Sequence, residues 1–189
     1  MTTSTENTKI ATMNDLFYDR FVKEVTEDER EDFIMTKFNN SIINSLMFEQ
    51  NVYGITNHSC KDYDGGYWEF ANLNQNKGFF MHLNKEDRFT LQNLNYQQAY
   101  SVDGRILGLI MCIMLYSQAS FTFFKSKPDL SKLYSEHYHN LRGAFYSTVD
   151  SMAYGVPDEN GDYVQDDSVS EEIRAEIKEM ASVVHSYLD

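Results

Sequence analysis

Two prolines, two cysteines and one tryptophan are all that the 189 residues contain of these types. Each scarcity excludes something. Cys60 and Cys112 are too few for a disulfide scaffold, so the fold must rest on a packed core. No stretch approaches the roughly 20 consecutive apolar residues of a membrane span. The longest apolar run, ILGLIMCIMLY (Ile106 to Tyr116), reads instead as a buried central helix. The opening MTTSTENTKIATMN lacks the apolar segment of a secretory leader, so a cytoplasmic protein with no membrane attachment is expected.

Basic residues are also in short supply, 16 Lys and Arg against 29 Asp and Glu for a net charge of -13. Contact with nucleic acid needs basic patches facing phosphate, so direct DNA or RNA binding is not expected. The acidity is uneven. Asp158 to Asp189 carries ten acids against Arg174 and Lys178, which is -8 of the -13.

What the chain does have is a large apolar and aromatic content, 42% and 14%, enough for one sizeable core. Residues 1–13 read as a flexible polar arm, and LFYDRFV (Leu16 to Val22) as a short strand. TEDEREDFIMTKF begins a helix with acids at its positive end. From Asn39 to about Gly54, Ile42, Ile43, Leu46, Met47 and Tyr53 recur at helical spacing and predict a second helix with that stripe inward. GGYWEFANL, GFFMHL and RFTLQNL are separated by turn-forming clusters and predict a three-stranded antiparallel meander. Ser101 or Asp103 can then cap the apolar helix.

Pro128 opens another helix with Leu130, Tyr134, Tyr138 or Leu141, Phe145, Val149 and Met152 as its stripe, closed by Gly155. After the linker VPDENGDYVQDD, Ser168 and Glu171 are spaced as a capping box. Ile173, Ile177, Met180, Val184 and Leu188 then form a regular apolar stripe. The expected fold is single-domain α+β: a small antiparallel sheet packed against several helices, plus a C-terminal amphipathic helix. The domain spans 14–155, and 156–189 is an acidic linker and helix extension whose stripe must be buried, on the chain's own core in the favoured reading, or else in a dimer by exchange or on a target.

Signatures of chemistry are missing: there is no G-x-S-x-G, H-E-x-x-H, P-loop or G-x-G-x-x-G. His137 and His139 diverge on a helix and cannot grip one metal, and His58 with Cys60 adds little to them. No catalytic residue, cofactor or metal site is therefore assigned. Asp62, Asp64 and Glu69 have no histidine or nucleophile beside them. Within CKDYDGGYWEF (Cys60 to Phe70), Gly65 and Gly66 suit an abrupt strand entry, and Trp68 and Phe70 share one inward face. Tyr63, Asp64 and Tyr67 are less easily explained by packing and form the candidate recognition surface.

YDGGYWEF (Tyr63 to Phe70), NQNKGFFM (Asn74 to Met81) and YHNLR (Tyr138 to Arg142), in this order, resemble the ArdB/KlcA antirestriction family. Its members carry a YDGGYW-F strand, then -NGGFYM, an apolar helix and a YH-LR helix. The resemblance runs from about Arg30 to Arg142. It marks Gly65, Gly66, Trp68, Glu69, Phe70, Gly78, Tyr138, His139, Leu141 and Arg142 as family positions, mainly structural. NKGFF stands where NGGFY is usual, and the acidic extension runs past the usual end of the family.

The resemblance implies a non-enzymatic protein of plasmids or other mobile elements that inhibits host type I restriction–modification enzymes. The expected partner is such an enzyme or a host protein associated with it, with a homodimer possible. The alternatives are an acidic DNA mimic and a small hydrolase. Charge density argues against mimicry by the extension alone. About 30 Å of duplex shows roughly 18 negative charges, and a 20-residue helix covers that length. Ser168 to Asp189 has only five acids and two bases.

Overall fold

A computed structural model describes residues 17–75, 77–93 and 98–188. The polar arm expected over 1–13 lies outside the described residues. The chain is α+β, with a three-stranded antiparallel sheet, two further hairpins and five helices of eight residues or more among the described residues.

The sheet is not the consecutive meander expected from the sequence. Its order is β1 (Val22–Glu24), β2 (Glu69–Leu73), β3 (Gly78–His82), with Val22 opposite Leu73 and Glu69 opposite His82. RFTLQNL instead supplies β4 (Arg88–Asn93), which pairs with β5 (Gln98–Asp103) in a separate hairpin. An isolated bridge from Cys60 to Leu91 joins that hairpin to the rest. LFYDRFV also departs from expectation, because residues 17–21 are helical and only its last residue, Val22, enters a strand. Phe17 and Tyr18 are both buried, which a helical turn achieves and a strand with one inward face would not.

Helix α1 (Arg30–Lys37) follows a 3-10 turn rich in acids, Glu27–Glu29. Helix α2 (Ile42–Ser59) starts at Ser41, whose hydroxyl accepts from the Asn44 amide at 3.3 Å. It runs one turn beyond Gly54. Its buried face is Ser45, Phe48, Val52 and Thr56, not the expected stripe, and Ile42, Ile43 and Leu46 are exposed. Phe48 wins the inward position by stacking on Tyr116 at 5.5 Å and packing against Phe38 and Phe79.

Asp103 caps α3 (Gly104–Phe123), its carboxylate accepting from the amides of Arg105 and Ile106 at 2.9 Å each. By length and composition this helix could cross a membrane, yet it is the central helix of the core. Its Gly108 lies against the Met81 carbonyl, where a side chain would have no room. The Cys112 thiol meets the Met81 amide at 3.3 Å, and burial pushes its pKa up to about 12.

Helix α4 (Pro128–Tyr154) buries Tyr134, Leu141, Phe145, Val149 and Met152, as its periodicity predicts. Gly155 ends it at φ 97°, a conformation that favours glycine. The linker is more ordered than its composition suggests, because β6 (Val156–Pro157) and β7 (Tyr163–Val164) pair in a hairpin. Its far end is clasped by Arg20, which donates to Asp166 and Ser168 at 2.6 Å each.

Helix α5 (Glu171–Leu188) does dock on the chain's own core, against α4 and α3. Ile177 and Val184 are fully buried and Met180 nearly so, with Ile173 and Leu188 at the margin. The cap is Ser170, whose hydroxyl accepts from the Ile173 amide at 3.3 Å, and not Ser168, which is taken by Arg20. Arg174 is buried and donates to the carbonyls of Met152 and Asp166, at 3.1 and 2.8 Å.

Candidate functional site

The glycine pair opens the site. Gly65 and Gly66 take φ of 116° and 154°, and a side chain at Gly66 would meet Leu83. The chain therefore turns sharply after Asp64 and delivers Trp68 into the core, where it is 2% exposed. The Trp68 indole donates to the Tyr63 hydroxyl at 2.9 Å, so the loop's first tyrosine satisfies its tryptophan. Tyr63 also packs edgewise on Trp68 and against Phe89, and is half-buried. One residue earlier, Asp62 accepts from the Thr90 amide at 3.1 Å and ties the loop to β4.

Of the three candidate recognition residues, Tyr63 is thus committed largely to the fold, while Asp64 and Tyr67 face solvent. Tyr67 is 63% exposed, and the Arg30 guanidinium lies 5.0 Å above its ring and 4.8 Å from Phe70. Sequence reasoning missed the neighbour that extends this surface. Ile42, Leu46, Glu49 and Tyr53 occupy one stripe of α2, since steps of three and four residues return to the same face. Tyr53 packs on Trp68 at 5.9 Å and its hydroxyl reaches Glu49 at 3.4 Å. Partial burial raises the Glu49 carboxyl above its ordinary range, opposed by nearby Arg30. Exposed Ile42 and Leu46 are therefore followed along α2 by the half-buried Glu49 and Tyr53, which lead to Trp68 and the Asp64–Tyr67 loop. The exposure of Ile42, Ile43 and Leu46 was hidden by an apolar pattern that fits an inward face equally well.

Of the ten family positions, Trp68, Phe70, Gly78 and Leu141 lie in the core, while Gly65, Gly66 and His139 are exposed. Gly78 on β3 faces Leu141 on α4 so closely that a Cβ there would stand 2.6 Å from the Leu141 Cα. Trp68, Phe70 and Leu141 are buried, Tyr138 stacks edgewise on His139 at 5.2 Å, and the Arg142 guanidinium lies 5.0 Å from the Tyr146 ring. His139 is exposed and lines a shallow recess with Lys77, Asn140 and Ser147.

The expected failure of His137 and His139 to converge on a metal is explained by their surroundings. His137 turns inward, 4.8 Å from Phe79 and 2.9 Å from the Lys37 carbonyl, and burial lowers its pKa. A different group converges instead: Glu24, Glu69 and His82 bring their ligand atoms within 4.8 Å of one another.

With this geometry in hand, comparison with known proteins is informative. A family model described as antirestriction protein matches residues 61–153. The match takes in the glycine pair, Trp68, the Gly78–Leu141 contact and α3. No curated protein matches the chain. A solved structure is similar at a TM-score of 0.60 and 18% identity, covering 89% of this chain and 95% of that one. It is described as showing that the KlcA and ArdB proteins have a novel fold, with antirestriction activity against type I DNA restriction systems in vivo but not in vitro. The core that joins YDGGYW, Gly78 and YHNLR thus lies within the matched segment, and residues 61–153 form an antirestriction-protein domain in a chain whose fold is similar to that of the KlcA and ArdB proteins.

Proposed function

We propose that this protein inhibits host type I restriction–modification through contacts with a protein, either the enzyme itself or a host factor bound to it. The observation that carries this reading is the exposure of Ile42 and Leu46 on α2 together with exposed Tyr67, whose ring lies under the Arg30 guanidinium. Exposed apolar and aromatic side chains with an arginine among them are the composition of a protein interface, whereas the cationic DNA-binding groove of an enzyme would be met by carboxylate. The related KlcA and ArdB proteins act in vivo but not in vitro, which fits a target assembled only in the cell. The protein would act in the cytoplasm of a host receiving a plasmid or other mobile element.

The test is transformation with modified and unmodified DNA into restricting and non-restricting hosts. The reading expects the chain to raise the yield of unmodified DNA only in the type I restricting host. Protection that is absent there, or present equally for other enzyme types, refutes it. The net charge of -13 keeps DNA mimicry as the second reading. It requires inhibition of purified enzyme that falls steeply with salt, because a groove contact of that kind is electrostatic.

A further inference from the structure

Glu24, Glu69 and His82 come from three neighbouring strands and share one face of the sheet. Glu69 is directly opposite His82, and Glu24 is opposite Ala71, two residues on from Glu69 and so on the same side. The burial of the three is graded. His82 is 1% exposed, Glu69 is intermediate, and the Glu24 side chain is 60% exposed. The cluster therefore has a closed floor and an open rim.

The floor is the informative part. His82 Nδ1 is 3.0 Å from the Leu83 carbonyl, which can only accept, so the proton belongs on Nδ1. In the neutral ring that leaves Nε2 as a lone pair. Nε2 is buried and has no hydrogen-bond partner among the described residues, and the Glu24 carboxylate is 4.0 Å from it. A lone pair and two carboxylates facing one point repel one another unless something positive lies between them. A histidine whose Nδ1–H is held by a backbone carbonyl while Nε2 points at carboxylates is also the usual orientation of a metal-ligating imidazole.

We propose that Glu24, Glu69 and His82 bind a divalent transition-metal ion, with Zn²⁺ the best match. One imidazole nitrogen and two carboxylates suit zinc-type ions, whereas Ca²⁺ and Mg²⁺ prefer oxygen ligands alone. Zinc ligands at about 2.0–2.2 Å in a tetrahedron stand roughly 3.4 Å apart, so the cluster must contract from its present 4.8 Å limit. Glu24, on its exposed rim, can supply that movement. The ion would fasten β1 to β2 and β3. Nearby, the buried Tyr18 ring lies edgewise to His82 at 6.3 Å, and Arg105 stacks 3.6 Å over Tyr18. The site therefore offers two carboxylates beside one guanidinium, a balance that leaves room for a cation.

The test uses the full chain without an affinity tag, stripped by chelator and titrated calorimetrically with ZnCl2, with MgCl2 as the control. The expected result is one Zn²⁺ per chain, a higher melting midpoint with zinc, and no comparable response to magnesium. Glu24→Gln, at a position open enough to tolerate it, should weaken zinc binding by about tenfold or more, since even outer partners of metal ligands are worth about 10–100-fold. Histidine nitrogen NMR should show the Nε2 signal of His82 moving on zinc addition. Absence of saturable binding, or equal affinity in wild type and Glu24→Gln, overturns the proposal. So does a His82 ring that is doubly protonated at neutral pH and unmoved by zinc, because the cation between the carboxylates would then be a proton.

Discussion

Gly78→Ala adds one methyl group between β3 and α4, and its cost can be worked from what that methyl would meet. The nearest atoms are the Leu141 Cα at 2.6 Å and amide nitrogen at 3.0 Å, followed by its Cδ1 at 3.1 Å. Ordinary carbon contacts lie near 3.5–4.0 Å, so strand and helix must separate by about 1 Å. The first two atoms are backbone and cannot rotate away. Overpacking of this kind costs about 1–3 kcal/mol, and alanine returns about 0.4–1 kcal/mol by restricting the unfolded chain. A net loss of about 1.3 kcal/mol lowers the midpoint of a domain this size by about 3–5 °C.

Leu141→Ala alone should cost about 2–5 kcal/mol, since Leu141 is fully buried. The double variant is decisive. Because the two nearest atoms are helix backbone, removing the Leu141 side chain should recover less than half of the Gly78→Ala loss, even though contacting sites couple. If Leu141→Ala instead rescues most of the Gly78→Ala loss in a denaturant melt, the leucine side chain was the obstacle and the reasoning is wrong. Gly143→Ala, two residues further along α4 with nothing within 4 Å, supplies the contrast. It should stabilise by about 0.8–1 kcal/mol, the ordinary helix preference of alanine over glycine.

Trp68→Ala should cost about 3–5 kcal/mol by thermal or denaturant melt, and an unchanged midpoint with lost protection would make Trp68 a contact residue instead. Leu46→Asp, on the exposed stripe of α2, should leave the midpoint within about 0.5 kcal/mol of wild type and abolish protection in the transformation assay; full protection would remove α2 from the recognition surface. Ending the chain after Gly155 should leave a cooperative but weakened domain, measured by melting and light scattering. A product that cannot fold would make Ile177, Met180 and Val184 part of the obligatory core. Hydrogen bonds from Ser168, and then Arg20, hold the Asp166 carboxyl down at about 2. Its contribution is therefore complete above the unfolded value near 3.9 and lost as pH falls toward 2. The midpoint gap between wild type and Asp166→Asn should be equal at pH 7 and 5 and smaller at pH 3, and a gap that closes between 7 and 5 contradicts this assignment.

The helices were legible where burial follows period. In α4 and α5 the apolar residues recur on one face and that face is inside, so Tyr134, Ile177 and Val184 were found from spacing, while the choice between Tyr138 and Leu141 fell to the structure. In α2 the same rule picked the wrong face, because Phe48 and Val52 compete with Ile42 and Leu46 and only the tertiary partners Phe38, Phe79 and Tyr116 decide between them. β2 and β3 could be read from their short aromatic-rich runs and the turn residues between them, but their third partner could not. A three-residue strand such as Val22–Glu24 carries almost no pattern, and its place is fixed by pairing with residues some fifty positions away. The candidate surface was half visible for the same reason. Asp64 and Tyr67 sit in a marked loop, while Ile42 and Leu46 join them only through the packing of Tyr53 on Trp68. Glu24, Glu69 and His82 become a group only once the register that sets Glu69 opposite His82 is known.

The clasp of Arg20 on Asp166 and Ser168 bears on how the protein is made. It joins residues 146 and 148 positions apart, one of the longest loops the chain closes. Synthesis delivers Arg20 early and Asp166 late, at about 5–20 residues per second, so the arginine waits on the order of ten seconds for its partners. During that interval the surfaces of α3 and α4 that α5 covers are open, and burial of Arg174 beneath Asp166 cannot begin. A growing chain paused before Asp166 would present an uncovered apolar face to the cell, which makes the synthesis of residues 166–189 the point where chaperone dependence and aggregation of nascent chains should concentrate.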